Sequence, residues 1–363
     1  VFAYHRRTKR MPRLAPDDTL FPIAFALRPG RRYPVRGGGV LEPFAGRGTS
    51  GAAAVALGRS AFGVEINPVG WIYAQTKTVP APETEVIQRL EEVAEAAPDF
   101  SHEADDLPEF YHWCFSGPVR RFLVAAKTLL KWLESDIDAT LMAFILLYLH
   151  GKRGQSLSNQ TRQQKSLAPD YSVRWWKKRG MEPPEIDPVV FLTSRIRWRY
   201  KRGTPEPGLA EVRLGDARQV LPAHQPSRGA YKLLLTSPPY RDVTCYYYDH
   251  WLRLWVLGGP ELPRRAVAGE WAKESRHANR RKYRQLLYDV FSSAAQLMAD
   301  DAVVYVRTDA REFTRQVTEE VLKQVFSDRR FQIMPVPRSK PSQTELFKNT
   351  SSEAGEVDIV ITS

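Results

Sequence analysis

The feature that most restricts this chain is the order strand, glycine turn, helix, strand inside residues 40–65. Val40 and Leu41 read as a buried strand released by Gly37, Gly38 and Gly39. Glycines recur at Gly46, Gly48 and Gly51. The alanine-rich run 52–57, a good helix former, follows and meets a stop at Gly58. Residues 60–65 form the next strand and end in Glu65, seventeen residues beyond Gly48. Two strands joined through a helix are parallel, so a βαβ unit is complete by residue 65. Glycines in the first turn of such a unit let the backbone approach a ligand, and an acid at the end of the second strand accepts from ribose hydroxyls. A tight turn with no ligand satisfies the same spacing. A dinucleotide would set its pyrophosphate on the helix N-terminus. The lead-in Glu42-Pro43-Phe44 departs from the usual dinucleotide loop and leans toward a nucleoside without phosphates.

The α/β rhythm resumes near residue 210. Strands are expected at 212–214, 233–235, 303–306, 331–334 and 357–361, with helices at 281–298 and 312–326. This alternation predicts a mostly parallel sheet with helices on both faces. The last two strands have only a polar loop between them and should pair antiparallel. Residues 80–201 break the pattern: helical periodicity at 85–96, 119–133 and 139–149 precedes a polar, aromatic and basic stretch. The expected division is therefore 1–79 for the tail and the start of the core, 80–205 for a largely helical insertion, and 206–363 for the rest of the core. No apolar run in the 363 residues approaches the ~18–20 a membrane helix needs, and the basic start lacks the apolar region of a signal peptide. The expectation is a cytoplasmic chain of prokaryotic type, associated with the nucleoid and touching no membrane. Two cysteines, Cys114 and Cys245, exclude a disulfide framework or a four-cysteine zinc site, and no metal is expected. A net charge of +12 points to a polyanionic partner.

The second constellation is Ser237-Pro238-Pro239-Tyr240, at the end of the apolar run 233–235. Two prolines fix φ twice and remove two N–H donors, leaving carbonyls free to accept. The Ser237 hydroxyl and the Pro238 carbonyl suit an exocyclic NH₂ group, and Tyr240 suits stacking on its ring. Open α/β sheets bind ligands at strand C-termini. The plainer alternative is a Pro-Pro turn ending a strand beside a core tyrosine.

Together these residues resemble the S-adenosylmethionine-dependent amino-methyltransferases of DNA. The stretch Glu42-Pro43-Phe44-Ala45-Gly46-Arg47-Gly48-Thr49 is similar to the first motif of that family, and Gly63-Val64-Glu65-Ile66-Asn67-Pro68 to its second. Gly215-Asp216-Ala217 is similar to the third, and Thr236-Ser237-Pro238-Pro239-Tyr240 to the catalytic fourth. The resemblance covers residues 40–76 and 210–363 and only loosely the insertion. It implies a Rossmann-like class I methyltransferase fold: a seven-stranded, mostly parallel sheet with a reversed last strand, plus the helical insertion. It implies S-adenosylmethionine as cofactor, with Phe44, Ala45, Gly46, Gly48 and Thr49 on its methionine side and Glu65 on the ribose. Ile66 would pack on the adenine beside Asn67, and Asp216, next to Ala217, would accept from the adenine amine. Catalysis would fall to Ser237, Pro238, Pro239 and Tyr240. A serine before Pro-Pro-Tyr implies N4 of cytosine in flipped duplex DNA; N6 of adenine, or an RNA base, is the alternative. A cytosine-C5 reaction needs a nucleophilic cysteine, which neither Cys114 nor Cys245 resembles. The expected partner is double-stranded DNA, and the sequence leaves open whether a cognate restriction endonuclease accompanies the protein.

Residues 151–202 hold 13 Lys or Arg against 4 Asp or Glu, interleaved with Tyr171, Trp175, Trp176, Trp198 and Tyr200. That mix suits phosphate contacts with stacking or wedging, and equally a solvated face over the insertion's own core. A second basic stretch, 264–284, carries 8 Lys or Arg against 2 Glu. Candidate DNA contacts are Arg174, Trp175, Trp176, Lys177, Lys178, Arg197, Arg199, Arg280 and Arg281, while Arg6, Arg7, Lys9 and Arg10 in the tail suit either closing over the cofactor or touching DNA. The rival readings are a nicotinamide oxidoreductase, which would leave Ser237 to Tyr240 without a role, and a catalytically silent DNA-binding subunit.

Overall fold

The computed structural model describes Leu14 and residues 38–162, 168–201, 203–205, 208–227, 229–240, 246–263, 279–336 and 355–363. Seven strands form one sheet: β1 (Gly39–Glu42), β2 (Ala61–Glu65), β3 (Ala210–Leu214), β4 (Tyr231–Thr236), β5 (Met298–Asp309), β6 (Arg330–Pro335) and β7 (Glu356–Thr362). Their spatial order is β3-β2-β1-β4-β5-β7-β6. Strands β1 to β5 are mutually parallel, and β7 runs antiparallel between β5 and β6. The expected reversal of the last strand and the antiparallel final pair are both present. Order and reversal together are those of the Rossmann-like class I methyltransferase fold.

The central strands carry continuous apolar runs because both of their faces are covered. β4, Tyr-Lys-Leu-Leu-Leu-Thr, is buried at every position but Lys232. Beneath one face lie helices Ala217–Ala223, Arg280–Leu297 and Glu312–Val325, whose Leu287, Phe291, Val317 and Val321 meet Leu41, Leu234 and Val304. Helix Thr49–Ala56 covers the other face with Ala53 and Ala54 against Val40, Leu233 and Val303. A third core belongs to the insertion, built from helices Glu83–Ala96, Gly117–Leu129 and Asp136–Tyr148 with the shorter elements around them. That core also takes in Val69, Ile72 and Tyr73 from helix Pro68–Thr78, and Tyr247, Trp251 and Trp255 from beyond Ser237-Pro238-Pro239-Tyr240. Arg253, fully buried among these rings, donates through Nε to the Leu146 carbonyl at 3.1 Å and ties the two segments together.

Among the described residues no helix is long and apolar enough to cross a membrane, and no group of three metal-ligating side chains forms. Cys114 is a buried free thiol. Cys245, the basic tail residues Arg6, Arg7, Lys9 and Arg10, and residues 264–278 lie outside the described residues.

Candidate active site

Parallel pairing brings the ends of β1, β2, β3 and β4 to one edge of the sheet, with Glu42 opposite Gly63 and Glu65 opposite Leu214. The chain reverses its winding between β1 and β4, the switch point where such sheets bind ligands. Backbone bonds stitch the loops: the Ala45 N–H donates to the Val64 carbonyl and the Gly215 N–H to the Glu65 carbonyl, both at 2.9 Å.

The glycine turn sits on the side chain of Glu65. Its Oε2 accepts from the Gly46 N–H at 2.6 Å and its Oε1 from the Asn67 N–H at 2.8 Å, so one carboxylate holds two loops. Asn67 caps helix Pro68–Thr78 by accepting from the Val69 N–H, with Pro68 suited to the first helical turn. Gly46 and Gly48 both take positive φ, 54° and 69°. At Gly48 a side chain would also collide with Ala74, whereas a Cβ on Gly46 would meet nothing within 4 Å. The turn thus opens onto free space at Gly46 and is closed against a helix at Gly48. Burial pushes the Glu65 carboxyl up to about 7, against the pull of its backbone donors and of Arg47.

These residues fit a nucleoside-bearing cofactor. A carboxylate offers about four acceptor sites, so Glu65 keeps acceptor capacity toward ribose hydroxyls beyond the backbone N–H groups of Gly46, Ile66 and Asn67. Ile66 and Asn67 are half-buried beside it. Asp216 caps helix Ala217–Ala223 through the Arg218 N–H at 2.9 Å and pairs with the Arg218 guanidinium at 2.5 Å. The Phe44 ring turns inward, edge-on to Phe291 with centroids 6.4 Å apart, so it offers the loop its backbone. Thr49 begins helix Thr49–Ala56 and Ala217 is buried at the start of its own helix. Glu42 is buried, accepts from the Gly51 N–H at 3.3 Å, and is pushed up to about 8 by desolvation. Sequence reasoning had left Glu42 out of the site. An acid closing an apolar strand immediately before a glycine turn was the available signal.

The second motif leaves the end of the neighbouring strand β4. Ser237 Oγ donates to Tyr240 Oη at 3.2 Å, and Tyr240 Oη donates to Glu356 Oε1 at 3.3 Å. The Pro239 carbonyl accepts from the Tyr283 hydroxyl at 3.0 Å, so Pro238 supplies the motif's other carbonyl. Tyr240 is only 7% exposed, and a base could stack on its ring only after the cover over it parts. Below lies an ion-pair ladder in which Arg307 grips Asp358 through Nε at 2.7 Å and Nη2 at 2.8 Å, with Tyr305 donating to the same carboxylate.

The candidate nucleic-acid residues divide by exposure. Trp176 is fully buried, its Nε1 donating to the Gln160 carbonyl at 2.8 Å and its ring 5.7 Å from Phe110, and Arg199 is buried against Trp198. Neither is therefore a surface contact: the large Trp176 ring fills the core of its amphipathic helix, and the Arg199 guanidinium lies over the Trp198 ring. Trp175 is half-buried under the Arg179 guanidinium, 4.3 Å from its ring. Arg174, Lys178, Arg197 and Arg281 are exposed. Lys177 and Arg280 are exposed as well and pair with Glu109 and Glu320. Trp198 stands 49% exposed, although it was not among the candidate contacts.

The fold and this edge define a methyltransferase-like Rossmann protein. No family model matches the chain, and no curated protein matches it either. Two solved structures of the rRNA methyltransferase aviRa from Streptomyces viridochromogenes align over 94% of this chain and 85% of theirs, at 11% identity and a TM-score of 0.30. The fold stands on the sheet order β3-β2-β1-β4-β5-β7-β6 described above.

Proposed function

We propose that the protein is a DNA methyltransferase acting on the exocyclic N4 amino group of cytosine, with S-adenosylmethionine as cofactor and a flipped base as substrate. The observation that supports this best is the placement of the glycine turn with Glu65 on β1 and β2 beside Ser237-Pro238-Pro239-Tyr240 on the adjacent β4. The cofactor, when bound, supplies a sulfonium methyl group open to nucleophilic attack. Glu65 would hold its ribose, the turn at Ala45 to Gly48 its methionine side, and Ile66 and Asp216 its adenine. The amine of a cytosine is a poor nucleophile because its lone pair is delocalised into the ring. Ser237 Oγ and the Pro238 carbonyl accept its two hydrogens, favour a pyramidal nitrogen and aim the lone pair, which is catalysis by orientation. No strong base is needed, and none is present in the motif. Duplex DNA would meet the exposed cations Arg174, Lys178, Arg197 and Arg281.

The test is incubation with labelled S-adenosylmethionine and mixed-sequence duplex DNA, followed by mass spectrometry of the digested nucleosides. N4-methylcytosine is the expected product. N6-methyladenine, or label in RNA alone, would replace the substrate and keep the transfer. DNA binding without any labelled nucleoside would leave a silent binding subunit. Ser237→Ala is expected to abolish transfer while cofactor binding persists.

A further inference from the structure

We infer that Glu356 fixes the direction in which the Ser237 hydroxyl points, and so serves as a positioning residue for the amino group that Ser237 receives. This rests on the proposed function. Strand β7 runs opposite to its neighbour β5, so its first residue lies at the edge where the parallel strands end; Glu356 is registered against Asp309, the last residue of β5. From that position it receives the row Ser237 Oγ to Tyr240 Oη at 3.2 Å and Tyr240 Oη to Glu356 Oε1 at 3.3 Å. Its other oxygen lies 3.6 Å from Arg307 Nη1.

Each hydroxyl has one hydrogen to give, and an ionised carboxylate has none. A carboxylate at the end of the row draws the Tyr240 hydrogen to itself, and the Tyr240 oxygen in turn draws the Ser237 hydrogen. Ser237 Oγ is left presenting only lone pairs to the site, which is what an incoming NH₂ group requires. With Glu356 protonated the row can reverse, and Ser237 then turns its hydrogen toward the hydrogens of the amine. Burial makes this reversal accessible, since it raises the Glu356 carboxyl above its ordinary range. Among the described residues the charged and titratable groups facing Glu356 are Arg307 and Asp309 on β5, Asp358 on β7 and Tyr240 after β4. Arg307 and Tyr240 favour the ionised form, while Asp358 and Asp309 oppose it. Strand β6 contributes only Pro335 and the adjoining Val336 at this level, neither charged.

Tyr240→Phe separates this role from stacking, because it keeps the ring and removes the hydroxyl. Two readouts on the full-length chain test the proposal. The first is carbon NMR of the glutamate carboxyls in the ligand-free protein. The Glu356 titration should have its midpoint above the usual glutamate value and should move further up in Tyr240→Phe, which removes a donor to the anion. The second is the rate of methyl transfer to duplex DNA as a function of pH. The wild-type rate should fall on the acid side with the same midpoint. Tyr240→Phe and Glu356→Gln should lower kcat by about tenfold or more with KM for DNA little changed, as loss of orientation does. Glu356→Gln should remove the part of the acid limb whose midpoint matches the Glu356 titration, leaving the part that Glu65, pushed up to about 7, contributes through the cofactor, and Glu356→Asp should restore part of the rate. A Tyr240→Phe variant with unchanged kcat, a limb at the Glu356 midpoint that survives in Glu356→Gln, or a Glu356 titration indifferent to Tyr240→Phe would overturn the inference. A wild type that transfers no methyl group removes the functional reading and this inference together. A wild type that transfers it, with variants indistinguishable from it, removes the inference alone.

Discussion

Alanine at Gly48 and alanine at Gly58 separate two reasons why a turn needs glycine. The two residues have nearly the same backbone, φ 69° and φ 70°. At Gly58 an added Cβ meets nothing within 4 Å, so the cost is that of the left-handed conformation, about 1–2 kcal/mol, offset by about 0.4–1 kcal/mol from a stiffer unfolded chain. At Gly48 the same Cβ would stand 2.6 Å from both Cα and Cβ of Ala74. Those are atoms of the buried helix Pro68–Thr78, not the far end of a flexible side chain, so the helix itself must retreat. Forced overpacking of this kind adds about 1–3 kcal/mol. Gly48→Ala should therefore lose about 1–4 kcal/mol, about 1–3 kcal/mol more than Gly58→Ala at about 1 kcal/mol or less, read from urea midpoints at constant m-value. Equal losses at the two positions would show that the helix yields freely and that close approach is not what selects glycine in this turn.

Three further outcomes are expected. Burial pushes the Glu42 carboxyl up to about 8 in the fold from its ordinary 4.5. The stability it contributes is full below 4.5 and is lost as the pH rises through 8, so the gap between Glu42→Gln and wild type should shift in the variant's favour by up to about 5 kcal/mol across that window; a gap constant with pH in urea titrations would sink the assignment. His150 and His250 are buried and held well below 6.5, chiefly by desolvation with help from Arg253. Their contribution is present above pH 6.5 and lost below it, so relative to wild type the His250→Gln variant should have an acid limb shallower by about 1.4 kcal/mol per pH unit. Trp176→Ala should cost about 3–5 kcal/mol and leave the salt dependence of DNA binding unchanged, whereas Arg197→Ala should cost little stability and reduce that slope by about one; the opposite assignment of effects in a salt titration would refute the division between core and surface.

The strands were legible because central strands covered on both faces carry continuous apolar runs, and stretches such as Leu233-Leu234-Leu235 and Val303-Val304-Tyr305-Val306 have no other use. The first residues of β5, Ala299 to Asp301, were not legible, since two aspartates in pairing range of solvent carry no strand signal. Helix Asp136–Tyr148 was found three residues late because its start is a cap, with Ser135 accepting from the Asp138 N–H, and caps look like loops in a pattern search. At the site, Gly46 and Gly48 were readable from spacing, and Asn67 and Asp216 from the resemblance of the motifs that contain them. Residues that act through tertiary contact were not. Glu356 lies 116 residues beyond Tyr240 and reaches it only because β7 is reversed. Tyr283 holds Pro239 from a helix that periodicity alone marks as ordinary core. Trp176 and Trp198 have the same composition cue and opposite fates, and only packing tells them apart.

Helix Pro68–Thr78 belongs to two assemblies. Ala74 supports the glycine turn, while Val69, Ile72 and Tyr73 complete the insertion's core, which also closes over Trp251 and Trp255. The insertion is consequently not an exchangeable cassette. A chimera that swapped residues 80–205 for those of another protein would strand the apolar sides of two retained helices and loosen the floor of the glycine turn. A transplant that carried residues 68–78 and 246–257 along with the insertion would preserve both contacts, and those are the cut points that an effort to re-target this protein would have to use.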